Sequence, residues 1–162
     1  MNREIKFRAW DTQEKEMLHD SDILAITGGC VLSINPNDPD SWICEDNTSQ
    51  RYINMQFTGL KDKSGQEIYE GDIVKRPVDG NKEFHGEWSL QEVSYRNGAW
   101  VVSYLKSETG KKMPRGYTAG NIQDARSEWD EDIVFADSEF WSTIDTLEVV
   151  GNIYENPELI DE

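Results

Sequence analysis

Gln91-Glu92-Val93-Ser94-Tyr95-Arg96-Asn97-Gly98-Ala99-Trp100-Val101-Val102-Ser103-Tyr104 is the stretch that decides the fold class. Asn97-Gly98 suits the two central positions of a type I′ turn, where both residues take positive φ. β-Branched and aromatic residues flank that dipeptide on both sides, so the stretch predicts a β-hairpin. Upstream, residues 58–75 read as a loop, a tight turn and a strand. Asp62-Lys63-Ser64-Gly65 has Asp first and Gly fourth, the pattern of a type I turn. Glu70-Gly71-Asp72 is a second turn, and Ile73-Val74 opens a β-branched strand. Downstream, residues 146–154 predict a last strand ending in a Gly151-Asn152 turn, and Asn156-Pro157-Glu158-Leu159 predicts a short terminal turn.

The N-terminal half carries the same signature. Residues 3–10 alternate, with Ile5, Phe7 and Ala9 on one side and Glu4, Lys6, Arg8 and Trp10 on the other. That period of two marks a half-buried strand. Arg8, Trp10 and Lys6 are therefore expected on its polar side, as an exposed cation–aromatic surface or as an Arg stem covering a ring at a sheet edge. Asp11-Thr12-Gln13 supplies turn chemistry, and Met17-Leu18 begins a returning strand. An apolar stretch over 23–34 is broken by Gly28-Gly29, a hairpin tip. Residues 35–50 are dense in Asn, Pro and Asp and read as a loop that encloses Trp42 and Ile43. Alternation resumes over 52–57. One helix is predicted, over 122–133, where Ile122, Ala125, Trp129 and Ile133 share a helical face. Residues 77–88 and 106–120 are polar excursions. The expected fold is mainly β, all-β or α+β with little helix. An N-terminal β-rich region, 1–57, packs its hairpins on a region 58–162 that contains a small antiparallel barrel with insertions at 76–90 and 106–145.

Composition narrows the function classes. The chain has 162 residues, with 16 basic and 32 acidic side chains, for a formal charge of −16. Direct nucleic-acid binding is not expected of it, because phosphate affinity comes from Lys and Arg neutralising backbone charge. Six Trp, six Tyr and five Phe are more aromatic surface than disordered chains carry. No apolar run approaches the ~20 residues that cross a bilayer, and no apolar signal core stands at the N-terminus. Two cysteines, Cys30 and Cys44, do not make a disulfide framework and lack metal or redox spacing. The expectation is a cytoplasmic protein.

Several residues bear chemistry. His19-Asp20-Ser21-Asp22 sets an imidazole beside two carboxylates, the ligand types of a divalent metal, and grounds one alternative, a metal-dependent hydrolase. A polar turn explains the same string, and the other histidine, His85, is far along the chain; no metal and no cofactor are expected. Carboxylate pairs such as Glu70 and Asp72 need environments that separate their pKa values before they can act as acid and base. No phosphate-binding Gly loop, nucleophile elbow or zinc-protease motif occurs. Residues 124–139 hold seven acids and one base. Glu128, Asp130, Glu131 and Asp132 form either a solvated face or, with Trp129, Phe135, Phe140 and Trp141, an acidic interaction patch for a basic partner. A denser reading makes that run a DNA mimic that blocks a host DNA-binding enzyme.

At three places the string resembles the YopX family of small phage- and prophage-encoded proteins. The opening Arg3-Glu4-Ile5-Lys6-Phe7-Arg8-Ala9-Trp10-Asp11 is similar to that family's start. Residues 55–75, with Thr58, Gly59, Leu60, Asp62, Gly65, Tyr69, Gly71 and Asp72, resemble its central signature. Residues 149–159, with Gly151, Asn152, Tyr154 and Pro157, resemble its ending. The resemblance implies an SH3-like small barrel entered by the central signature, a phage or prophage origin and residence in the bacterial cytoplasm. It implies no reaction, cofactor or catalytic residue. The function expected is a non-catalytic protein-interaction module for an unidentified host or phage protein. Homo-oligomerisation is also expected, because strand edges have to be covered.

Overall fold

Two-residue alternation, β-branched runs and Gly-bearing turns leave little for a helix to use, and the chain folds accordingly. The computed structural model describes residues 4–19, 23–27, 30–35, 38–46, 51–77, 86–96, 98–110 and 144–160, with backbone only over 23–46. These form β1 (Phe7–Asp11), β2 (Glu16–Leu18), β3 (Ile23–Thr27), β4 (Cys30–Asn35), β5 (Asp38–Asp46), β6 (Tyr52–Lys61), β7 (Glu67–Tyr69), β8 (Asp72–Pro77), β9 (Trp88–Arg96), β10 (Ala99–Ser107) and β11 (Glu148–Asn152). Two 3-10 turns, Ile144–Thr146 and Pro157–Leu159, complete them, and no α-helix occurs among the described residues. The protein is mainly β. The helix expected over 122–133 and the acidic run lie outside the described residues.

The chain divides into two compact units, Met1–Leu60 with Glu67–Glu70, and Lys61–Gln66 with Gly71–Glu162. The first holds a sheet of order β2-β1-β6-β7 and a three-stranded sheet β3-β4-β5. β1 lies between β2 and β6, antiparallel to both, with Arg8 opposite Met55 and Asp11 opposite Tyr52. Burial of residues on both faces overturns the one-sided reading of the first strand. Ala9, Arg8 and Trp10 are all buried, whereas Ile5, assigned to the apolar side, is 64% exposed because it lies ahead of the strand. Tyr52 and Leu18 pack on Ala9. In the second sheet Thr27 pairs with Cys30, and the hairpin tip expected at Gly28-Gly29 lies outside the described residues. The loop expected over 35–50 is instead largely strand β5. β5 is the last strand of its sheet, where a proline such as Pro39 takes no donor from a needed ladder bond.

The second unit is one antiparallel sheet of order β10-β9-β8-β11, curled into a half-barrel with bulges at Tyr104/Lys106 and Val149/Gly151. Arg96 pairs with Ala99, so the hairpin connection is two residues long, and Gly98 has φ +83°. Residue 97, the other half of that turn, lies outside the described residues. By register, Val74, Val93 and Val102 share one face and Ile73, Leu90 and Val101 the other, and all six are buried. A sheet buried on both faces reads as continuous apolar runs such as Ile73-Val74 and Val101-Val102, not as alternation. The last strand runs through Gly151-Asn152, and the turn expected there follows at 153–155.

Gly151 is fixed by crowding. A Cβ built there would sit 2.6 Å from Asn156 Oδ1 and 2.8 Å from Leu159 Cδ1. Asn156 Oδ1 accepts the Asn152 N–H at 3.1 Å, so a methyl at 151 displaces the group that seats the terminal turn. Gly151→Ala is expected to destabilise the protein by about 2 kcal/mol, in the range for overpacked sites. Thermal unfolding of the variant beside the parent checks this, and an unchanged midpoint would refute it.

Candidate functional site

The residues of the three sequence motifs gather in two places, one in each unit. In the first, the face of β1 that carries Lys6 and Arg8 meets Phe57 and Tyr69. The Arg8 guanidinium lies 4.6 Å from the Tyr69 ring centre and its Nη2 is 4.0 Å from Met55 Sδ. Phe57 and Tyr69 tilt against each other at 5.4 Å, and Lys6 Nζ stands 5.6 Å from the Phe57 ring. Glu67 closes the group, accepting from Lys6 Nζ at 2.7 Å and from the Tyr69 hydroxyl at 2.8 Å. The Glu67 carboxylate, and then Glu4, raise the Lys6 pKa above its ordinary value. Arg8 is buried, so of the two alternatives the exposed cation–aromatic surface falls, and the guanidinium lies over a ring in the interior. Thr58 Oγ1 donates to Ile68 O at 2.8 Å and accepts the Leu60 N–H at 3.2 Å, across the Gly59 position with φ +90°.

At the end of β1 the Asp11 carboxylate is surrounded by donors. It accepts from Gln13 N–H at 2.8 Å, Glu14 N–H at 3.1 Å, Arg51 Nε at 3.0 Å and Arg51 Nη2 at 2.6 Å. The Arg51 guanidinium, more than the two backbone bonds, holds Asp11 below its ordinary pKa against the opposing effect of burial. Trp10, one position before, is a core residue.

The second unit repeats this device with a different set of donors. Asp62 Oδ1 accepts from Ser64 N–H at 2.8 Å, Ser64 Oγ at 2.7 Å and Gln66 N–H at 2.9 Å, while Oδ2 accepts the Val149 N–H at 3.0 Å. Burial alone pushes the Asp62 pKa up, but the bonds from Val149, Ser64 and Gln66 together hold it below its ordinary value. The turn is the one expected, with Gly65 N–H donating to Asp62 O at 2.9 Å and Gly65 at φ +89°. Lys63 N–H donates to Leu147 O at 3.0 Å, and Lys63 Nζ to Glu148 Oε2 at 2.7 Å. Nearby, Gly71 at φ +78° donates its N–H to Val93 O and accepts from Ile153 N–H at 2.9 Å. Asn152 Nδ2 reaches Asp72 Oδ1 at 3.4 Å, both residues fully buried, and Asn152 Oδ1 accepts the Tyr154 N–H at 3.0 Å. Pro157 opens the terminal 3-10 turn.

Chemically these carboxylates are spent. An Asp with four donors and a lowered pKa is a poor proton acceptor, so neither Asp11 nor Asp62 suits a general base. Among the described residues no group of three or more His, Cys, Asp or Glu side chains is disposed to hold a metal ion. His19 is exposed, and Asp20 and Asp22 lie outside the described residues, as do Glu128, Asp130, Glu131 and Asp132. No described helix is long and apolar enough to cross a membrane. Arg51, Met55 and the Val149 N–H were not singled out by the sequence. Arg51 was readable only as the residue before a strand, and its link to Asp11 needs the β1–β6 register.

The comparisons with known proteins agree with this distribution of motifs. A family model described as YopX protein matches residues 6–161. The chain belongs to the YopX family. Among solved structures it is similar to a crystal structure of protein EF1440 from Enterococcus faecalis, at 26% identity and a TM-score of 0.53. That likeness covers 99% of this chain and 100% of the other. No curated protein matches it.

Proposed function

We propose that the chain is a non-catalytic protein-interaction module, made by a phage or prophage and acting in the cytoplasm of its bacterial host. The observation that carries the reading is the fate of the YopX motif residues. Asp11 and Asp62 each hold four donors, Thr58 and Asn152 bridge backbone groups, and Gly71 and Gly151 serve turn geometry and close packing. A motif spent on turns and strand ends specifies a scaffold and leaves recognition to surfaces outside it. The reading takes the half-barrel of the second unit, with its 3-10 turn before the last strand, as the SH3-like barrel expected from the sequence.

Affinity capture from host lysate tests it. A single host or phage protein should bind saturably, be displaced by excess untagged chain, and weaken when Glu128, Asp130, Glu131 and Asp132 are reversed to Lys. Metal analysis of the purified protein guards against the enzyme reading. Stoichiometric zinc or manganese that disappears in His19→Ala would replace this proposal with a metal-dependent hydrolase.

A further inference from the structure

The chain changes unit three times between Leu60 and Gly71, and each piece is anchored within the unit it enters. Residues 61–66 belong to the second unit: Asp62 Oδ2 accepts the Val149 N–H and Lys63 N–H donates to Leu147 O, both at 3.0 Å. Residues 67–70 belong to the first. There Thr58 Oγ1 donates to Ile68 O at 2.8 Å, the Tyr69 ring meets Phe57 and Arg8, and Glu70 N–H donates to Gln56 O at 3.0 Å. The next amide along, Gly71 N–H, donates to Val93 O of the second unit at 2.8 Å. Two successive amides are held in different units, across a link that spans only about 3.8 Å between Cα atoms.

We infer that the 61–71 stretch is a strap that makes the two units unfold as one. Domains joined by a simple flexible linker open separately, because such a tether keeps no fixed geometry. Here the connection from β6 to β7 is the 62–66 turn of the second unit, while the strand it delivers fills the first. β7 is only three residues long and stands last in its sheet, yet Ile68 and Tyr69 are buried. When the second unit unfolds, the turn loses Val149 and Leu147, and β7 is left between two loose segments whose freedom opposes its pairing. Its departure uncovers Phe57 and Arg8, which rest on Tyr69. A partner that binds either unit therefore stabilises both.

Gly151→Ala, whose crowding lies wholly in the second unit, tests the strap by native-state amide hydrogen exchange beside the parent. The slowest amides of each unit report the free energy of its opening. The probes are the bonded N–H groups of Phe57 and Glu70 in the first unit and of Gly71 and Ile153 in the second. The expected result is about thirty-fold faster exchange in both units alike, the factor for an overpacked site of this kind. Should Gly151→Ala not fold, protection lost from both units supports the strap, and protection kept in the first overturns it. A second pair of chains, with and without Gly151→Ala, carries a short Gly-Ser spacer at 66/67 and at 70/71. With the spacers in place the first unit should no longer respond to the substitution. Unchanged exchange in the first unit of Gly151→Ala, or a first unit that still responds across the spacers, overturns the strap.

Discussion

Asp11→Ala is expected to lower the stability of the folded chain by about 4 kcal/mol, within the range for removing one partner of a buried ion pair. The Asp11 side chain is 3% exposed and that of Arg51 24%, so water replaces little of what is removed. The substitution strips two backbone N–H groups and the guanidinium of their shared acceptor, and the turn after β1 loses the group that shapes it. Urea unfolding of the two proteins gives the number. Part of the loss comes from removing the carboxylate that the Arg51 guanidinium faces, so Arg51→Met added to Asp11→Ala should recover some of it. A double variant as unstable as the sum of the two singles would mean that the pair does not act as a unit.

The second expected effect is acid lability centred on Asp62. Its pKa lies below the ordinary 3.8 in the folded protein, so the unfolded chain binds the proton first as pH falls. The stability it contributes is therefore complete above about pH 4 and is lost as pH drops from there through the folded value. Asp11, also lowered, adds in the same direction. Asp62→Ala should cost about 3 kcal/mol at pH 7, the scale of charge-assisted hydrogen bonds lost with buried donors left behind. It should cost progressively less as pH falls below that ordinary value, where the unfolded chain takes up the proton that the folded carboxylate resists. Stability measured from pH 7 to 2 on both proteins would show converging curves, and parallel curves would refute the assignment.

How much of this was legible in the sequence depended on how local each cause is. The β9–β10 hairpin and the 62–65 turn were readable because a turn is set by the few residues inside it. β5 was misread because Pro36, Pro39 and the surrounding Asp residues argue against a strand, and only its outer place in the sheet makes it tolerable. Arg8 and Trp10 were misread for a related reason. Alternation reveals that a strand has two faces, but it does not reveal that β1 has a neighbour on each side and both faces covered. The motif residues of the candidate site were found, yet their partners were not. Arg51 is 40 residues from Asp11 and Val149 is 87 from Asp62 in sequence, and no spacing rule links them.

The pairing of β8 with β11 also sets the order of events when the protein is made. Lys75 pairs with Glu148 and Asp72 with Asn152, so the half-barrel stays incomplete until residue 152 has been synthesised. At roughly 5–20 residues per second, β8 waits several seconds for its partner. Apolar Ile73 and Val74 have no finished sheet to enter during that interval. Contacts this far apart in sequence also close slowly, on the millisecond-to-second scale of β-rich domains. The sheet of the second unit therefore cannot close before β11 has been made, and a nascent chain stalled before residue 148 presents β8 to whatever holds unfinished strands in the cell.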